Sequence, residues 1–149
     1  DCELSRGLGD VYKRQLKEWE LAAYTEFRPN NKDGYKFKKS YPYPTGENTL
    51  GLNCLNDCNF NYPSKYSKFL LRGYGHVSTF STKKGINGLY DMGGNVWEWV
   101  DINDNSYKGT KGGSWWYGKN QMIQGYNATK PKNMSAVYIG FRCVKDFKN

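Results

Sequence analysis

A turn with two adjacent glycines constrains this chain more than any other stretch. Residues 87–99 read Asn-Gly-Leu-Tyr-Asp-Met-Gly-Gly-Asn-Val-Trp-Glu-Trp, so the glycine pair lies between Asp91 and Glu98. Adjacent glycines allow positive φ and a close backbone approach, and main-chain carbonyls can then point inward beside the two carboxylates. Such oxygen ligands suit a hard cation, calcium before magnesium. The alternative is that Asp91 and Asn95 cap a turn while the two tryptophans fill the core.

Three motifs in order carry a family resemblance. They are residues 88–99, the Gly-Gly-Ser-Trp of 112–115 and the Gly-Phe-Arg-Cys of 140–143. Together they resemble the formylglycine-generating enzyme family, also called the sulfatase-modifying-factor domain. The resemblance implies an irregular, turn-rich α+β fold of the C-type-lectin-like kind. It also implies that residues 16–149 are the C-terminal part of a single domain, because the helix expected at 16–24 lies near the middle of complete family members.

The resemblance further implies a structural calcium ion at the glycine turn. Its ligands would be the side chains of Asp91 and Glu98 and the backbone carbonyls of Gly94 and Val96. Calcium is therefore the one cofactor that we expect.

A second calcium site is implied near Asn53 and the carbonyl of Cys54. The family completes that site with an Asp-Gly-aromatic element further along the chain. Here the corresponding element is Arg72-Gly73-Tyr74, which replaces the carboxylate with a cation. This departure puts the second site in doubt.

The reaction for which the family is named depends on two cysteines that bind copper, because soft thiolates hold Cu(I). By spacing from Ser114, those positions are Tyr117 and Met122 in this chain. Neither residue supplies a thiolate, so we expect neither bound copper nor formylglycine formation. We expect Met122 to be a core residue. Cys143 matches a structural cysteine whose usual partner lies upstream of this chain, so we expect an unpaired thiol.

Residues around the second motif could form the floor of a ligand pocket, with aromatic faces and hydrogen-bond donors. The alternative is an aromatic core, which we favour for Trp115. For Arg142, a buried salt bridge and ligand binding both remain open. The candidate pocket residues are Trp116, Tyr117, Gln121, Tyr126 and Arg142.

The composition suits one domain of 149 residues with a modest core rich in aromatic side chains. Aromatic residues make up 17% of the chain and the mean hydropathy is −0.86. No apolar run approaches the roughly 20 residues of a membrane helix, so we expect no membrane insertion. The formal charge is +8, but the lysines are scattered and do not form the clustered stripe typical of nucleic-acid binding.

The start of the chain reads differently from the remainder. Asp10-Val11-Tyr12-Lys13-Arg14-Gln15 is the translation of the mosaic-end adapter used in transposase-based sequencing libraries, so we expect residues 1–15 to be non-native. From Leu16 to Tyr24, apolar residues recur at helical spacing and predict a helix with Leu16, Trp19 and Ala23 on one face.

Three further local predictions follow from spacing. Cys54 and Cys58 could form a disulfide, begin a zinc site or remain free thiols, although His76 is the chain's lone histidine. Strands are predicted over 111–116, where alternation allows at most one of two adjacent tryptophans to be fully buried, and over 136–144.

Two classes of function remain open. The first is a non-catalytic or accessory domain that binds a small molecule or a protein partner, with a secreted, periplasmic or cell-envelope location. The second is part of an oxidative tailoring enzyme, because relatives without the cysteines include domains of sulfoxide synthases and of pigment or siderophore maturation enzymes. The catalytic residues of such an enzyme would lie outside this segment.

Overall fold

The computed structural model of the chain describes residues 11–13, 16–58, 75–102, 104 and 106–145. Within these residues an α-helix, two short 3-10 helices (Ile86–Gly88 and Lys119–Gln121) and six short strands alternate with long turns, which confirms the predicted irregular α+β fold. Their bounds are β1 Val11–Lys13, α1 Leu16–Tyr24, β2 Trp97–Val100, β3 Tyr107–Lys111, β4 Ala128–Pro131, β5 Ile139–Gly140 and β6 Cys143–Lys145. No helix among the described residues has the length and apolar character that crossing a membrane requires.

The main sheet has four strands in the order β4-β3-β2-β5. β3 pairs antiparallel with both β2 and β4, whereas β5 pairs parallel with β2 and places Gly140 opposite Glu98. The glycine turn leads directly into β2, and the sheet therefore fixes the position of that turn. The remaining strands, β1 and β6, pair antiparallel with each other.

The predicted helix has the predicted bounds, and it packs on the sheet through one face. Trp19, Ala23 and Tyr24 are buried in a cluster with Met92 and Val100, and Leu16 packs at its edge. The last carbonyls of a helix have no partner within it. Here the side-chain amide of Asn87 donates to two carbonyls at the helix end, at 2.9 and 2.6 Å, and ties α1 to the segment that precedes the glycine turn.

A second core cluster lies under the loop that follows Pro44. It contains Leu52, Met122 and the disulfide that joins Cys54 to Cys58. The structure therefore selects the disulfide from the three alternatives for this cysteine pair. Met122 is fully buried, as expected of a core residue.

The predicted strand over 111–116 is wrong, because β3 ends at Lys111. Gly112 and Gly113 adopt φ of 89° and 71°, outside the region that a strand requires. The chain turns there, and Trp115 is buried while Trp116 remains half-buried. The burial of one of the two tryptophans was predicted, but a turn produces it.

The predicted strand over 136–144 is interrupted. Residues 139–140 and 143–145 form β5 and β6, and the two residues between them leave the ladder. This interruption lets Arg142 reach Glu98.

Cys143 is disulfide-bonded, so the expectation of an unpaired thiol is wrong. Its partner lies outside the described residues. The expectation left residues 1–15 out of account because they were predicted to be non-native. In the structure, Lys13 of β1 lies opposite Cys143 in the β1–β6 pair. The origin of residues 1–15 itself stays a prediction.

Candidate functional site

Residues 91–98 of the glycine turn include three with left-handed backbone conformation. Asp91, Gly94 and Asn95 have φ of 58°, 71° and 57°, and Asp and Asn tolerate this region better than most residues because their short side chains bond locally. The backbone of Gly94 pairs with Asn53 in a parallel bridge, and its N–H donates to the carbonyl of Gly112 at 2.7 Å. The turn therefore sits inside the fold.

Asp91 is a buried carboxylate whose described partners are neutral. It is 8% exposed, and it accepts a hydrogen bond from the Thr82 hydroxyl at 2.7 Å and a longer one from the Phe80 amide at 3.4 Å. No ion pair to Asp91 occurs among the residues that the structure describes. Arg142 lines the same cavity and its charge interacts with Asp91 without forming an ion-pair contact, so the buried carboxylate is only partly compensated and would attract a cation.

Glu98 is also buried, but its carboxylate is paired. Its Oε1 accepts from Arg142 Nη2 at 2.7 Å and from Nε at 3.0 Å, while its Oε2 accepts from the same Nε at 3.0 Å and from the Trp19 indole at 2.8 Å. Burial acts to lower the pKa of Arg142, but the bonds to Glu98 outweigh it and the pKa lies above its ordinary value. Arg142 therefore forms the buried salt bridge that was one of its two alternatives.

Asp91 and Glu98 share one cavity of about 340 Å³. Oxygen atoms from two carboxylates in one cavity are a donor set that fits a hard cation. The fit depends chiefly on Asp91, because Glu98 is already bonded to Arg142. The described part of the chain holds no cluster of three or more His, Cys, Asp or Glu residues. The cavity is lined by Thr79, Phe80, Gly88, Leu89, Tyr90, Asp91, Asn95, Val96, Glu98, Phe141 and Arg142.

Asn95 links three segments around the turn. Its side chain accepts from the Val77 amide at 2.9 Å and donates to the Val77 carbonyl at 3.2 Å. The backbone N–H of Asn95 donates to the backbone carbonyl of Asn53 at 2.8 Å, and the backbone carbonyl of Asn95 accepts from the backbone N–H of Trp115 at 2.9 Å. Asn95 thus does much more than cap a turn.

The residues of the doubtful second calcium site make protein contacts through the Asn53 side-chain nitrogen and the Cys54 sulfur. The Asn53 side chain donates to the Gly75 carbonyl at 2.9 Å, and Cys54 is in the disulfide. Arg72, Gly73 and Tyr74, on which the doubt rested, lie outside the described residues. The second site stays a prediction.

Most of the candidate pocket residues gather on the other side of β2. We call Trp97, Trp116, Tyr117, Tyr126 and Tyr138 the aromatic face. Its ring centroids lie 5.4 to 6.3 Å apart between neighbouring members, and the ammonium group of Lys130 lies 5.5 Å from the Trp97 ring. Gln121 is the last residue of the 3-10 helix Lys119–Gln121, shortly after Tyr117 in the sequence.

Arg142 is separated from the aromatic face. Trp97 and Glu98 are successive residues of β2, and successive side chains of a strand point to opposite faces. Trp97 contacts Tyr117 and Tyr126, whereas Glu98 holds Arg142. The structure thus separates Arg142 from Trp116, Tyr117 and Tyr126, which lie on the other side of the sheet.

One charged residue of the interior was missed in the sequence. Lys111 is buried, and its ammonium pairs with Glu20 at 2.8 Å and donates to the Asn127 side chain at 3.1 Å. Burial lowers its pKa, and the bond to Glu20 partly opposes that change. A lysine in a short strand is ordinarily exposed, so spacing carries no signal for this arrangement.

Comparison with known proteins adds to the geometry. The family model of the sulfatase-modifying factor enzyme 1-like domain matches residues 11–147. Among solved structures, the chain is similar to CarF, with a TM-score of 0.64 and 22% identity over 94% of this chain and 49% of that one. It is also similar to PvdO from Pseudomonas aeruginosa, with a TM-score of 0.58 and 16% identity over 93% of this chain and 54% of that one.

A third similar structure is variable protein 1 of Treponema denticola, with a TM-score of 0.56 and 20% identity over 91% of this chain and 47% of that one. The chain thus spans about half the length of the solved structures that it matches. No curated protein gives a significant match. The match over most of the sequence shows that this chain belongs to the sulfatase-modifying factor enzyme 1-like domain family.

Proposed function

We propose that this chain is a non-catalytic or accessory domain of its family, which binds a small molecule or a protein partner and is stabilised by one calcium ion. The observation that carries the non-catalytic part is the identity of two residues. Tyr117 and Met122 stand where the resemblance assigns the copper-binding cysteines, and Met122 is fully buried against the disulfide. A phenol and a thioether cannot replace two thiolates.

The aromatic face is the surface that we assign to the ligand or partner. Tyr126 is 37% exposed, and Trp116, Tyr117 and Tyr138 are partly exposed. Aromatic side chains offer large contact areas with a polar tip, and such rings are enriched at binding surfaces. The ammonium group of Lys130 at this face would favour a ligand that carries an acceptor or a negative charge.

Calcium would act as a structural ion in the cavity beside α1. The side chains of Asp91 and Glu98 and the carbonyls of Gly94 and Val96 would hold it. Bound calcium supplies two positive charges and no redox chemistry, and it would compensate the buried Asp91 carboxylate.

Thermal unfolding tests the calcium proposal. A ligand that binds only the folded state stabilises it by about 2.7 kcal/mol at a concentration one hundred times its dissociation constant. We expect the unfolding midpoint of the 149-residue chain to rise in calcium relative to EDTA. Asp91→Asn, which keeps the shape of the side chain, should abolish the rise. Asp101→Asn removes the same charge from an exposed ion pair and should keep it. An equal midpoint in calcium and EDTA for the unsubstituted chain would sink the proposal.

A peptide assay tests the absence of formylglycine formation. The protein that carries this chain is incubated with a sulfatase peptide containing the target cysteine, together with copper and oxygen, and the peptide mass is measured. We expect no conversion of the cysteine to the aldehyde. Appearance of the aldehyde would overturn the non-catalytic assignment.

The second candidate is an oxidative tailoring enzyme with its reactive residues outside these 149 residues. The observation in its favour is that the chain spans about half the length of the similar solved structures. A histidine triad encoded upstream in the reading frame would favour this candidate. A signal peptide or lipid-anchor cysteine directly before the domain would favour the accessory role.

A further inference from the structure

The charges in the cavity do not balance. Two carboxylates, Asp91 and Glu98, and one guanidinium, Arg142, are the charged groups that line it, which gives a net charge of −1. Arg142 is bonded to Glu98 and interacts with Asp91 only through its charge, while the hydrogen-bond partners of Asp91 are a neutral hydroxyl and a neutral amide. The net negative charge of the cavity therefore attracts a cation, although the guanidinium group of Arg142 already supplies one positive charge there.

Both oxygens of the Glu98 carboxylate already accept hydrogen bonds. Arg142 supplies two N–H donors, with Nη2 bonded to Oε1 and Nε shared between Oε1 and Oε2, and the Trp19 indole donates to Oε2, all at 2.7 to 3.0 Å. An ionised carboxylate has about four lone-pair sites, and these three donors share them. A metal ion that binds an oxygen of Glu98 would therefore compete with Arg142 for it.

We propose that Arg142 sets the calcium affinity of this cavity, by serving as the internal counter-cation of Glu98 in the calcium-free protein and competing with calcium for the same carboxylate. The inference rests on the calcium site of the proposed function. It deepens that proposal, because it assigns the control of affinity to a residue that the motif does not place among the ligands.

Arg142 is well placed to yield without being lost from the fold. Its Nη2 also donates to the Tyr90 carbonyl at 2.8 Å, so the side chain keeps an anchor if a bond to Glu98 breaks. A quarter of the side chain is exposed, which allows water to replace a lost partner. Lys111 lies opposite Glu98 in the strand pair, but its ammonium is committed to Glu20 and Asn127.

Calcium titration by calorimetry tests the proposal with Arg142→Gln. This change removes the charge and the fork that occupies both oxygens of Glu98. A nearby charge alters the proton affinity of a carboxylate by about tenfold to a thousandfold, and the same field acts on a metal ion. We expect Arg142→Gln to bind calcium about tenfold more tightly or better. Lys108→Gln removes one positive charge from an exposed ion pair, and its affinity should stay within about twofold of the original.

Stability gives a second readout of the same competition. Without calcium, Arg142→Gln leaves Glu98 buried without a counter-charge, so its unfolding midpoint should fall. At saturating calcium the gap to the original chain should narrow, because tighter binding returns the lost stability. A purely structural role for Arg142 would leave the gap unchanged.

Arg142→Lys decides the question if Arg142→Gln does not fold without calcium. Lysine keeps the charge but cannot bond both oxygens in parallel, so an oxygen of Glu98 is released. We expect tighter calcium binding than in the original chain. Weaker or unchanged binding in the folded variants overturns the proposal. If the original chain binds calcium and the variants match it, this inference alone fails; if no form binds calcium, the calcium part of the proposed function fails with it.

Discussion

Gly94 is a residue whose type the structure explains by geometry. Its φ is 71°, and a Cβ built there would collide with the carbonyl oxygen of Asn53. Those two residues form the bridge that joins the loop before the disulfide to the glycine turn. The requirement for glycine therefore comes from the backbone of Asn53, independently of any metal ion.

Gly94→Ala should destabilise the chain much more than Gly125→Ala. Both glycines have positive φ, which costs a side chain about 1–2 kcal/mol, but a Cβ at Gly125 meets nothing within 4 Å. The collision with Asn53 should add about 1–3 kcal/mol for Gly94→Ala. Urea unfolding measures both. Equal losses of unfolding free energy in the two variants would show that the backbone at Asn53 moves away from the new Cβ with no loss of stability.

At the scale of single residues, the sequence predicts which side chains line the site better than it predicts which groups they bond. Asp91 and Glu98 could be selected from the composition of the turn, and both line the cavity. The partners of Glu98 could not be predicted, because Arg142 lies 44 residues later in the sequence and Trp19 lies 79 residues earlier. Only the fold brings such groups together.

At the scale of elements, α1 shows what periodicity can predict. Its bounds and its buried face follow from apolar residues at helical spacing. Its anchorage does not follow, since Glu26 is buried just beyond the helix and bonds both Arg28 and the Asn87 amide. The contact with Asn87 joins residues 61 apart, so no local sequence pattern predicts it.

Glu26 should make stability depend on pH in the acid range. Burial acts to raise its pKa, but hydrogen bonds from Arg28 and Asn87 outweigh this and hold the pKa below its ordinary value. The unfolded state therefore takes up the proton first, at about pH 4.3. The stabilisation is complete above that pH and is lost as the pH falls through the lower pKa of the folded state.

Glu26→Gln tests this pH dependence. The unfolding midpoint should be lower than that of the original chain at pH 7, and the difference should shrink below about pH 4. Glu47→Gln, in an exposed pair with Lys39, is the control and should change little at either pH. A difference for Glu26→Gln that persists unchanged in acid would contradict the argument.

The strand predictions failed where backbone conformation overrode the side-chain pattern. The stretch 111–116 has the tryptophans of a strand, yet Gly112 and Gly113 turn the chain instead. Glycine permits both outcomes, so its presence alone could not decide between an extended and a turned backbone.

The disulfide loop supports the turn that carries Tyr117. The Leu55 amide donates to the Tyr117 carbonyl at 3.0 Å, and the Asp57 carboxylate accepts from the Lys119 amide at 3.1 Å. Replacing Cys54 and Cys58 by serine should lower the unfolding free energy by about 2 kcal/mol, the value for so short a loop. Amide exchange at Leu55 and Lys119 should accelerate.

Asp57→Ala is the matched variant, because it removes the bond to Lys119 and keeps the disulfide. It should accelerate exchange at Lys119 and leave Leu55 protected. Unchanged exchange rates at both amides in the double serine variant would mean that other contacts hold the turn.

At the scale of the whole molecule, the order of the motifs predicted more than composition did. Composition indicated a turn-rich domain with an aromatic core, which Trp19, Trp97 and Trp115 form. The family followed from three short motifs, and the match over residues 11–147 confirms it. The division of the candidate pocket by β2 was beyond both, because it depends on which face of a strand each side chain occupies.

The cavity and the aromatic face are connected through the sheet. The cavity that holds Asp91 and Glu98 lies on the α1 side of β2 and the aromatic face lies on the other side, so one strand is shared by both. An ion that fixes Asp91 and Glu98 would thereby also fix Trp97, the buried ring beneath Tyr117 and Tyr126. Calcium would stabilise the binding surface without touching it.

The most direct test of this account is diffraction from crystals grown in calcium, recorded where calcium scatters anomalously. We predict one anomalous peak in the cavity, about 2.3–2.6 Å from oxygen atoms of Asp91 and Glu98, with at least one bond from Arg142 to Glu98 broken. A cavity without a peak at high calcium, in which Arg142 still holds both oxygens of Glu98, would contradict it.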